Sequence, residues 1–324
     1  MAVEGTRPIV LGVVGDSASG KTTITRGLVR ILGEDNVNHI ATDDYHRYDR
    51  QQRAERAITP LHPDCNHIDV MTQDLIHIRN GEPILKPVYR HTDGTFGPPE
   101  YVAPKRFAVV EGLLGYHTQR LRECYDVRVY LAPPEDVRRK WKVARDVSRR
   151  GYTTDQVLEE LDRREPDSAE FIRPQERRAD LVVSFSPSEG GDSHVLDAEL
   201  VLREGLPHPD LSAITGDGER GIAVSERRGE RTLRIPADIE AERAEEIEET
   251  VWEKMHFATH LRTERLGEFT VGTDLRRSNS LAIVQVLILY HLVTAKAAVA
   301  LGGDGARVTD GSAEGSRVLP GRVP

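Results

Sequence analysis

The feature that most constrains this chain is a glycine-rich octapeptide close to its start. Residues 15–22 read Gly-Asp-Ser-Ala-Ser-Gly-Lys-Thr, which has the spacing G-x-x-x-x-G-K-[ST] of a phosphate-binding loop. A short apolar run precedes the loop at Pro8–Val14, and apolar residues recur at helical spacing from Ile24 to Leu32 after it. Because a strand, a glycine-rich turn and a helix in this order are the context that the motif requires, we predict a nucleotide-phosphate site rather than a purely structural turn.

The chemistry of such a loop assigns a role to each part of it. Its glycines let backbone N–H groups close around a β-phosphate, and the following helix N-terminus adds a partial positive charge. Lys21 is predicted to reach the β- and γ-phosphates, and Thr22 to bind Mg²⁺. We predict that ATP contacts Gly15, Asp16, Ser17, Ala18, Ser19, Gly20, Lys21, Thr22 and Thr23.

Apolar runs alternate with helical stretches through the first half of the chain. Further strands are predicted at Asn38–Thr42, Phe107–Val110, Val127–Leu131 and Leu181–Phe185. Such alternation is typical of a mainly parallel sheet that helices cover on both faces. We therefore predict an α/β fold of the P-loop NTPase type, a mainly parallel sheet flanked by helices, with a C-terminal α+β extension.

Changes in composition divide the chain into three parts. A Ser-, Gly- and Asp-rich stretch at residues 188–194 marks the end of a nucleotide-binding core, predicted at residues 1–190. The extension is predicted at residues 191–301, packed on the core. The remaining residues, 302–324, are glycine-rich and lack any period, so we expect a disordered tail.

The extension is predicted to contain two strands, Val195–Arg203 and Arg231–Ile235, and two helices. The final helix, Leu281–Leu301, is apolar around so much of its circumference that it must be buried against the core or another subunit. The other helix has an apolar stripe from Ala244 to Met255. We expect its acidic residues to form a solvated face rather than a metal site: Glu240, Glu242, Glu245, Glu246, Glu248, Glu249 and Glu253.

The composition argues against several kinds of partner and site. A net charge of −9 is unsuited to a general nucleic-acid or membrane-surface binder, which needs a positive surface. The longest apolar run, Leu281–Val293, is too short for a membrane span, and no signal-like stretch stands near the start. We therefore expect a cytoplasmic protein. Cys65 and Cys124 lie in dissimilar surroundings, so neither a disulfide framework nor a cysteine-based metal site is predicted.

A dense group of charged side chains follows the second predicted strand. Residues 43–50 read Asp-Asp-Tyr-His-Arg-Tyr-Asp-Arg, at the carboxyl end of a strand, where α/β proteins place their ligands. A kinase needs a carboxylate to accept the proton of the attacking hydroxyl, and an anionic substrate needs fixed cations beside it. The alternative is a polar turn in which Asp43 caps a helix.

A single carboxylate, Glu111, ends the otherwise apolar strand that includes Val109 and Val110. Many phosphate-loop enzymes hold Mg²⁺ from this position, directly or through water, although a strand-ending Glu can also merely face solvent. We predict Thr22 and Glu111 as the metal-binding residues.

Seven basic residues and one acidic residue lie between Arg138 and Tyr152. Prolines and acidic residues at positions 133–136 are typical of a helix start. On that helix, one face carries Arg138, Lys142, Arg145 and Arg149. We interpret the segment as part of a cationic lid, at about residues 134–175, that closes over transferring phosphates; the alternative is a solvated charged face.

Prolines and glycines interrupt the pattern between Glu82 and Val102, which predicts a hairpin or a loop over the sheet edge. Within this stretch, Lys86–His91 is predicted either to contact substrate or to pack as a surface loop.

Together these motifs resemble those of the phosphoribulokinase family, in the branch shared by cyanobacteria and plants. The resemblance extends from about Ile9 to Val293. Besides the phosphate loop, it rests on Thr-Asp-Asp-Tyr-His-Arg-Tyr-Asp-Arg at residues 42–50, Lys-Pro-Val-Tyr at 86–89 with His91, Val-Glu-Gly-Leu-Leu-Gly at 110–115, Lys142 with Arg145-Asp146 and Arg-Gly-Tyr-Thr at 150–153, and Leu-Asp-Arg-Arg-Glu-Pro-Asp at 161–167. It implies an enzyme that uses ATP and Mg²⁺ to convert ribulose 5-phosphate into ribulose 1,5-bisphosphate, and it favours a homodimer.

The resemblance also implies roles for single residues. It makes Asp43 the base that activates the ribulose 5-phosphate hydroxyl and Glu111 a carboxylate at the Mg-ATP. The sugar-phosphate positions fall on His46, Arg50, Tyr89, His91 and Lys142. Arg145 and Asp146 lie in the lid, where the family uses the pair in catalysis and in substrate or metal binding. The predicted catalytic set is then Asp43, Lys21, Arg145 and Asp146, with Arg145 also binding substrate.

The chain departs from the plant-type pattern at two positions. The family has regulatory cysteines in the phosphate loop and just before the Asp-Asp pair, where this chain has Ser19 and Ala41. Two rival functions remain, a uridine-kinase-like nucleoside kinase and a non-catalytic ATP-binding regulatory protein. The extra cations favour a sugar phosphate over a nucleoside, and a protein that only binds ATP does not need the base Asp43.

Overall fold

The computed structural model describes residues 6–188, 196–212, 214–215, 221–227, 229–255, 261–271 and 274–307. The core contains, in order, β1 (Ile9–Gly15), α1 (Lys21–Leu32), β2 (Val37–Ala41), α2 (Arg50–Glu55), α3 (Ile68–Arg79), β3 (Ile84–Lys86), β4 (Tyr89–Arg90), β5 (Thr95–Phe96), β6 (Glu100–Val102), β7 (Phe107–Gly112), α4 (Gln119–Arg122), β8 (Val127–Leu131), α5 (Glu135–Arg150), α6 (Thr154–Asp167) and β9 (Leu181–Pro187). The extension adds β10 (Leu196–Leu202), β11 (Ala223–Arg227), β12 (Glu230–Ile235), α7 (Ala241–Trp252), β13 (Glu268–Val271), β14 (Asp274–Arg277) and α8 (Asn279–Ala300).

One sheet runs through both the core and the extension. Its strand order is β11-β12-β10-β9-β8-β1-β7-β2. The five strands from β9 to β2 are parallel, whereas β10, β12 and β11 are antiparallel to their neighbours. The predicted α/β class and the predicted strands are confirmed. The boundary near residue 190 stays a prediction, since residues 189–195 lie outside the described part.

The parallel register brings the functional sequence segments to one edge of the sheet. Val13 of β1 is paired with Glu111 of β7, and Ala41 of β2 is also paired with Glu111. Because parallel strands all point the same way, the phosphate loop after β1 and the acidic block after β2 lie beside the end of β7. The hairpin strands β3 to β6, which form two small antiparallel ladders, approach the same edge through Tyr89.

Two apolar layers hold the helices against the sheet. One layer contains α1, α7 and α8, with Ile24, Leu28 and Ile31 of α1 fully buried. The other contains α3, with Met71, Leu75 and Ile78 buried against the opposite face. The strands between the layers are nearly continuous apolar runs because both of their faces are covered.

Helix α8 lies inside the fold. Ser278 caps it by accepting a hydrogen bond from the N–H of Leu281 at 3.3 Å. With 22 residues, α8 is long and apolar enough to cross a membrane by length and composition. The short run Leu281–Val293 is therefore not sufficient ground for excluding a membrane span. The fold accounts for its composition instead, because 67% of its most apolar window is buried inside the protein.

The expectation of an entirely solvated acidic face on α7 is wrong for one residue. Glu248 is buried, and Arg277 of β14 lies 3.8 Å from its Oε1 atom. Burial raises the pKa of Glu248. The helical pattern alone missed this contact because β14 comes from a distant part of the chain.

The expected disorder of the tail is also wrong for its first residues. Arg307 donates hydrogen bonds to both carboxylate oxygens of Asp180, at 2.6 and 2.9 Å, and Arg79 donates one to Asp304 at 2.9 Å. These ion pairs hold residues 302–307 in place, although this segment has no apolar periodicity. Residues 308–324 lie outside the described part.

Candidate active site

A cleft of 1320 Å³ opens at the carboxyl edge of the parallel strands. Its walls come from the phosphate loop, the ends of β2 and β7, the hairpin at Tyr89–His91, the lid helices α5 and α6, and strand β13. The structure therefore brings all of the predicted site segments to one cavity.

The phosphate loop has the backbone form that its sequence predicts. Gly20 adopts a positive φ of 94°, a conformation that glycine tolerates, and immediately precedes α1. The Nζ atom of Lys21 donates hydrogen bonds to the carbonyls of Gly15 and Asp16, at 2.9 and 2.7 Å. Burial lowers the pKa of Lys21, while the nearby carboxylates of Glu111, Asp16 and Asp43 oppose that shift.

Glu111 stands where the end of β7 meets α1. Its Oε2 atom accepts a hydrogen bond of 2.7 Å from Thr25, and its Oε1 atom lies 3.4 Å from both the hydroxyl of Thr22 and Nε2 of His39. Burial alone would raise the pKa of Glu111, but His39, Thr25 and Lys21 together hold it below its ordinary value. The carboxylate is therefore ionised at neutral pH.

Thr22 and Glu111 fit Mg²⁺ by their chemistry. A hydroxyl and an ionised carboxylate are the hard oxygen ligands that Mg²⁺ prefers, and this ion is commonly held by one or two protein groups together with substrate phosphates. Among the described residues no cluster of three His, Cys, Asp or Glu side chains is placed to hold a metal.

Asp43 lies in the turn Thr42–Tyr45 that follows β2 and faces the cleft. Nε2 of His91 lies 3.6 Å from its Oδ2 atom. Enclosure in the site would raise the pKa of Asp43, but the charges of His46, His91 and Lys21 hold it below its ordinary value. An ionised carboxylate that keeps an open side is suited to accept a proton.

The neighbouring carboxylate, Asp44, has a different environment. Lys86 donates to its Oδ2 atom at 2.5 Å, and the backbone N–H of Tyr89 donates to its Oδ1 atom at 2.8 Å. Lys86 is buried in this pair and does not line the cleft. Of the two alternatives for the segment beginning at Lys86, packing therefore holds for Lys86 itself, and Asp44 anchors the hairpin that carries Tyr89 and His91.

Aromatic and imidazole rings pack together in one part of the cleft. This part contains His46, Arg50, Tyr89 and His91, where the resemblance predicts the sugar phosphate, and is called the acceptor side below. His46 is buried, with Nδ1 2.8 Å from Oδ1 of Asn66. The Tyr89 ring packs edge-on against His46 and His91, with centroid distances of 4.9 and 5.1 Å. Arg50 fixes the backbone of this hairpin by donating to the carbonyl of His91 at 2.7 Å.

The basic helix α5 is not a solvated charged face where it meets the cleft. Nζ of Lys142 lies 2.6 Å from Oδ2 of Asp146, and both side chains are buried. Arg145 donates to the other oxygen of Asp146 at 2.8 Å. Burial lowers the pKa of Lys142, whereas Arg145 and Lys142 together outweigh burial and lower the pKa of Asp146. The side chain of Arg149 lies outside the described part.

Several cleft residues were missed from the sequence. Arg53 of α2 donates to the hydroxyl of Tyr89 at 2.5 Å, and Arg163 and Arg164 of α6 line the cleft. The two α6 arginines belong to the motif at residues 161–167. The sequence shows their residue types but does not show that their side chains line the cleft. Strand β13 reaches the cleft through Phe269–Val271, and no motif of the sequence indicates this contact.

A family model described as Phosphoribulokinase / Uridine kinase family matches residues 10–190. A phosphoribulokinase of Synechocystis sp. is 38% identical over 209 residues, which cover 64% of this chain and 63% of that protein. A chloroplastic phosphoribulokinase of Triticum aestivum is 33% identical and covers 62% of this chain and 55% of that protein. A uridine kinase of Oceanobacillus iheyensis is 32% identical and covers 58% of this chain and 90% of that protein.

The chain therefore spans less than two thirds of the length of these two phosphoribulokinases. Among solved structures, the phosphoribulokinase from Rhodobacter spheroides is similar with a TM-score of 0.57 at 18% identity, covering 77% of this chain and 97% of that chain. This likeness shows a shared fold.

Proposed function

The chain belongs to the phosphoribulokinase and uridine kinase family, and from that premise we propose that it transfers the γ-phosphoryl group of ATP to the 1-hydroxyl of ribulose 5-phosphate. The product is ribulose 1,5-bisphosphate. One observation carries the choice of acceptor: beside the ionised Asp43, the cleft is lined by Arg50, Arg53, Lys142 and Arg164. Such a concentration of cations in a protein of net charge −9 suits an acceptor with its own phosphate.

The proposed chemistry begins with the acceptor hydroxyl. Its proton passes to Asp43 while its oxygen attacks the γ-phosphorus, and ADP leaves with the electron pair of the broken bond. Lys21 is free to move from the loop carbonyls to the phosphates, since those carbonyls are its only hydrogen-bond partners among the described residues. Thr22 and Glu111 would hold Mg²⁺, which would neutralise phosphate charge when bound.

The lid supplies the remaining charge. Arg145 and Lys142 both lie against Asp146, which spaces the two cations along the cleft wall. A loose phosphoryl-transfer transition state spreads its charge over the equatorial oxygens, so fixed cations in a water-poor cleft are the main contribution that a protein can make. We propose that Arg145 stabilises the charge of the transferring phosphoryl group and that Lys142 binds the sugar phosphate. The other proposed sugar-phosphate residues are those of the acceptor side: His46, Arg50, Tyr89 and His91.

A nucleoside kinase is the second candidate, because a uridine kinase shares 32% identity with this chain. A nucleoside carries no phosphate, so it would offer these cleft cations no anionic group to bind. A regulatory protein that only binds ATP is the third candidate, and it would have no use for the base Asp43.

The deciding experiment measures ADP formation with Mg²⁺ and ATP in the presence of ribulose 5-phosphate, uridine or neither. We expect turnover with the sugar phosphate alone. Turnover with uridine but not with the sugar phosphate would assign the chain to the nucleoside kinases, and binding of ATP with no turnover would favour the regulatory protein.

We also propose a cytoplasmic homodimer that requires Mg²⁺. The dimer rests on the family resemblance alone, because α8, whose apolar surface favoured a second subunit, is buried within the chain itself. Light scattering that gives a single-chain mass near 36.2 kDa at micromolar concentration would refute it.

A further inference from the structure

We infer that Asp16, inside the phosphate loop, is a positioning residue that fastens both ends of the lid. Its side chain is buried, and its Oδ1 atom accepts a hydrogen bond of 2.6 Å from the N–H of Ser17. Its two oxygens also contact Arg138, in the first turns of α5, and Ser168, directly after α6. The lid hairpin α5–α6 thus starts and ends at one carboxylate.

The first contact closes the α5 end. Nη1 of Arg138 lies 3.5 Å from Oδ1 of Asp16 and donates to the carbonyl of Ser17 at 2.9 Å. The other side of the guanidinium donates to both carboxylate oxygens of Glu135. Arg138 is almost completely buried in this contact, so in the docked lid it packs against the phosphate loop rather than facing solvent.

The second contact closes the α6 end. The hydroxyl of the buried Ser168 donates to Oδ2 of Asp16. Ser168 begins a π-helical turn that extends to Ile172, and Pro166 stands just before it in α6. A proline followed by a π-turn weakens the regular helical hydrogen bonds, so the side-chain contact to Asp16 has a larger share in fixing this end.

Charge explains why the contact matters for function. A carboxylate in a phosphate loop repels the phosphates that the loop binds, unless a cation neutralises it. Arg138 supplies that cation when the lid is docked, and shares it with Glu135, whose carboxylate is half-exposed and therefore solvated by water. Docking of the lid and binding of the nucleotide therefore favour each other, because the docked Arg138 weakens the repulsion between Asp16 and the bound phosphates.

The chain contains its own reporter of this coupling. Its two tryptophans are Trp141, which lies on α5 and lines the cleft, and Trp252, at the end of α7. In a Trp252→Phe background, the emission of Trp141 follows the lid alone. The titrant is the non-hydrolysable analogue AMP-PNP with Mg²⁺, so no phosphoryl acceptor is needed.

The first test is a double-mutant cycle. We expect Arg138→Met to weaken AMP-PNP binding about 10-fold, the size of one lost charge-assisted contact. Asp16→Asn introduced into the Arg138→Met protein is expected to restore most of the affinity, since it removes the buried charge inside the phosphate loop, while Glu135 stays solvated. A double variant that binds no better than Arg138→Met would overturn the inference.

The second test removes the α6 contact. We expect Ser168→Ala to diminish the AMP-PNP-induced change in Trp141 emission and to lower kcat about 10-fold, with the KM for the acceptor unchanged. Ser168→Thr keeps the hydroxyl and is expected to retain both. Thr250→Ala, which removes a hydroxyl that binds a carbonyl within α7, is the matched control.

A Ser168→Ala protein that behaves like the control, or a Ser168→Thr protein that fails as Ser168→Ala does, would overturn the inference. Although the inference rests on the proposed nucleotide site, the AMP-PNP titrations do not depend on the acceptor. Failure of the proposed sugar-phosphate activity would therefore leave their outcome readable, and failure of the lid coupling would leave the acceptor assay unaffected.

Discussion

The two edges of the parallel sheet hold their charged residues in opposite ways. At the carboxyl edge, Asp43 and Glu111 face a cleft, and each keeps part of its hydrogen-bonding capacity open. At the amino edge, Asp126 and Asp180 stand just before β8 and β9, and arginines pair with both oxygens of each. Arg7 donates to Asp126 at 3.0 and 2.7 Å, and Arg307 to Asp180 at 2.6 and 2.9 Å.

The difference shows how the same residue types acquire different uses. A carboxylate whose two oxygens are filled by a guanidinium has little capacity left for a ligand, and its ion pair fixes neighbouring chain segments. A carboxylate that is kept ionised by imidazoles at longer distances can still accept a proton or contact a metal. We therefore expect substitutions of Asp43 or Glu111 to change turnover and substitutions of Asp126 or Asp180 to change stability.

The largest effect is expected from Asp43→Asn. Loss of the general base should reduce kcat about 10²- to 10⁴-fold. The midpoint of urea unfolding and the affinity for AMP-PNP should stay close to the wild-type values, because among the described residues the Asp43 side chain has its close polar contact with His91 and no hydrogen bond to the phosphate loop or the sheet. Steady-state kinetics with ribulose 5-phosphate provide the measurement. Normal turnover in this variant would remove Asp43 from the mechanism.

Asp180→Ala tests the opposite edge. We expect the free energy of unfolding to fall by about 3 kcal/mol, since a buried ion pair loses one partner while Arg128 and Arg307 keep their charge. Urea denaturation measures the loss, and kcat of the folded variant should be unchanged. A large loss of turnover without loss of stability would break the comparison between the edges.

Arg50→Ala and Lys142→Ala test the acceptor side of the cleft. Each should raise the KM for ribulose 5-phosphate roughly 10- to 100-fold, because each removes a charge-assisted contact. Arg56→Ala is the matched control: Arg56 stacks on Tyr48 just after α2 and does not line the cleft. If only the KM for ATP rises, the assignment of these cations to the sugar phosphate is wrong.

A smaller effect is expected from pH. Burial lowers the pKa of Lys142 below its ordinary value of 10.5, so this side chain loses its charge earlier than an exposed lysine as the pH rises. The value of kcat/KM for the sugar phosphate should therefore be full at neutral pH and decline at alkaline pH, below the usual lysine range. Lys142→Arg, which stays charged, should flatten the decline; an unchanged profile in that variant would exclude Lys142 as its cause.

No effect is expected from oxidation. Cys65 lies by the carboxyl edge, where its carbonyl accepts a hydrogen bond from Arg47, and Cys124 stands two residues before Asp126 at the amino edge. The intervening strands are about 20 Å long, whereas a disulfide needs Cα atoms within about 7 Å. Burial also raises the pKa of each thiol to about 11.

Activity should therefore be equal after treatment with oxidised or reduced dithiothreitol. This chain lacks the plant-type pair of regulatory cysteines, because Ser19 and Ala41 stand at the two positions. A reversible loss of activity that Cys65→Ser or Cys124→Ser abolishes would show a redox switch at another place.

The sequence predicted the segments of the site better than their contacts. Asp43 and Asp44 are adjacent and chemically identical in sequence, yet only the position of Lys86, on a distant hairpin, turns Asp44 into an anchor. No motif of the sequence singles out Arg53, yet the fold places it against Tyr89. Such contacts depend on where a later segment returns in space, and no local period encodes that return.

The sequence by itself determined the phosphate loop, the positions of the core strands along the chain and the charged residues that follow them. These features follow from short-range rules: glycine conformations, alternation of apolar runs, and the placement of ligands after parallel strands. The tertiary structure decided which charges stay open to the cleft and which are paired, as well as the burial of α8, the contact of Glu248 and the order of residues 302–307. These features share one physical reason: each depends on burial or ion pairing between segments that are separated along the chain, which no local sequence pattern encodes.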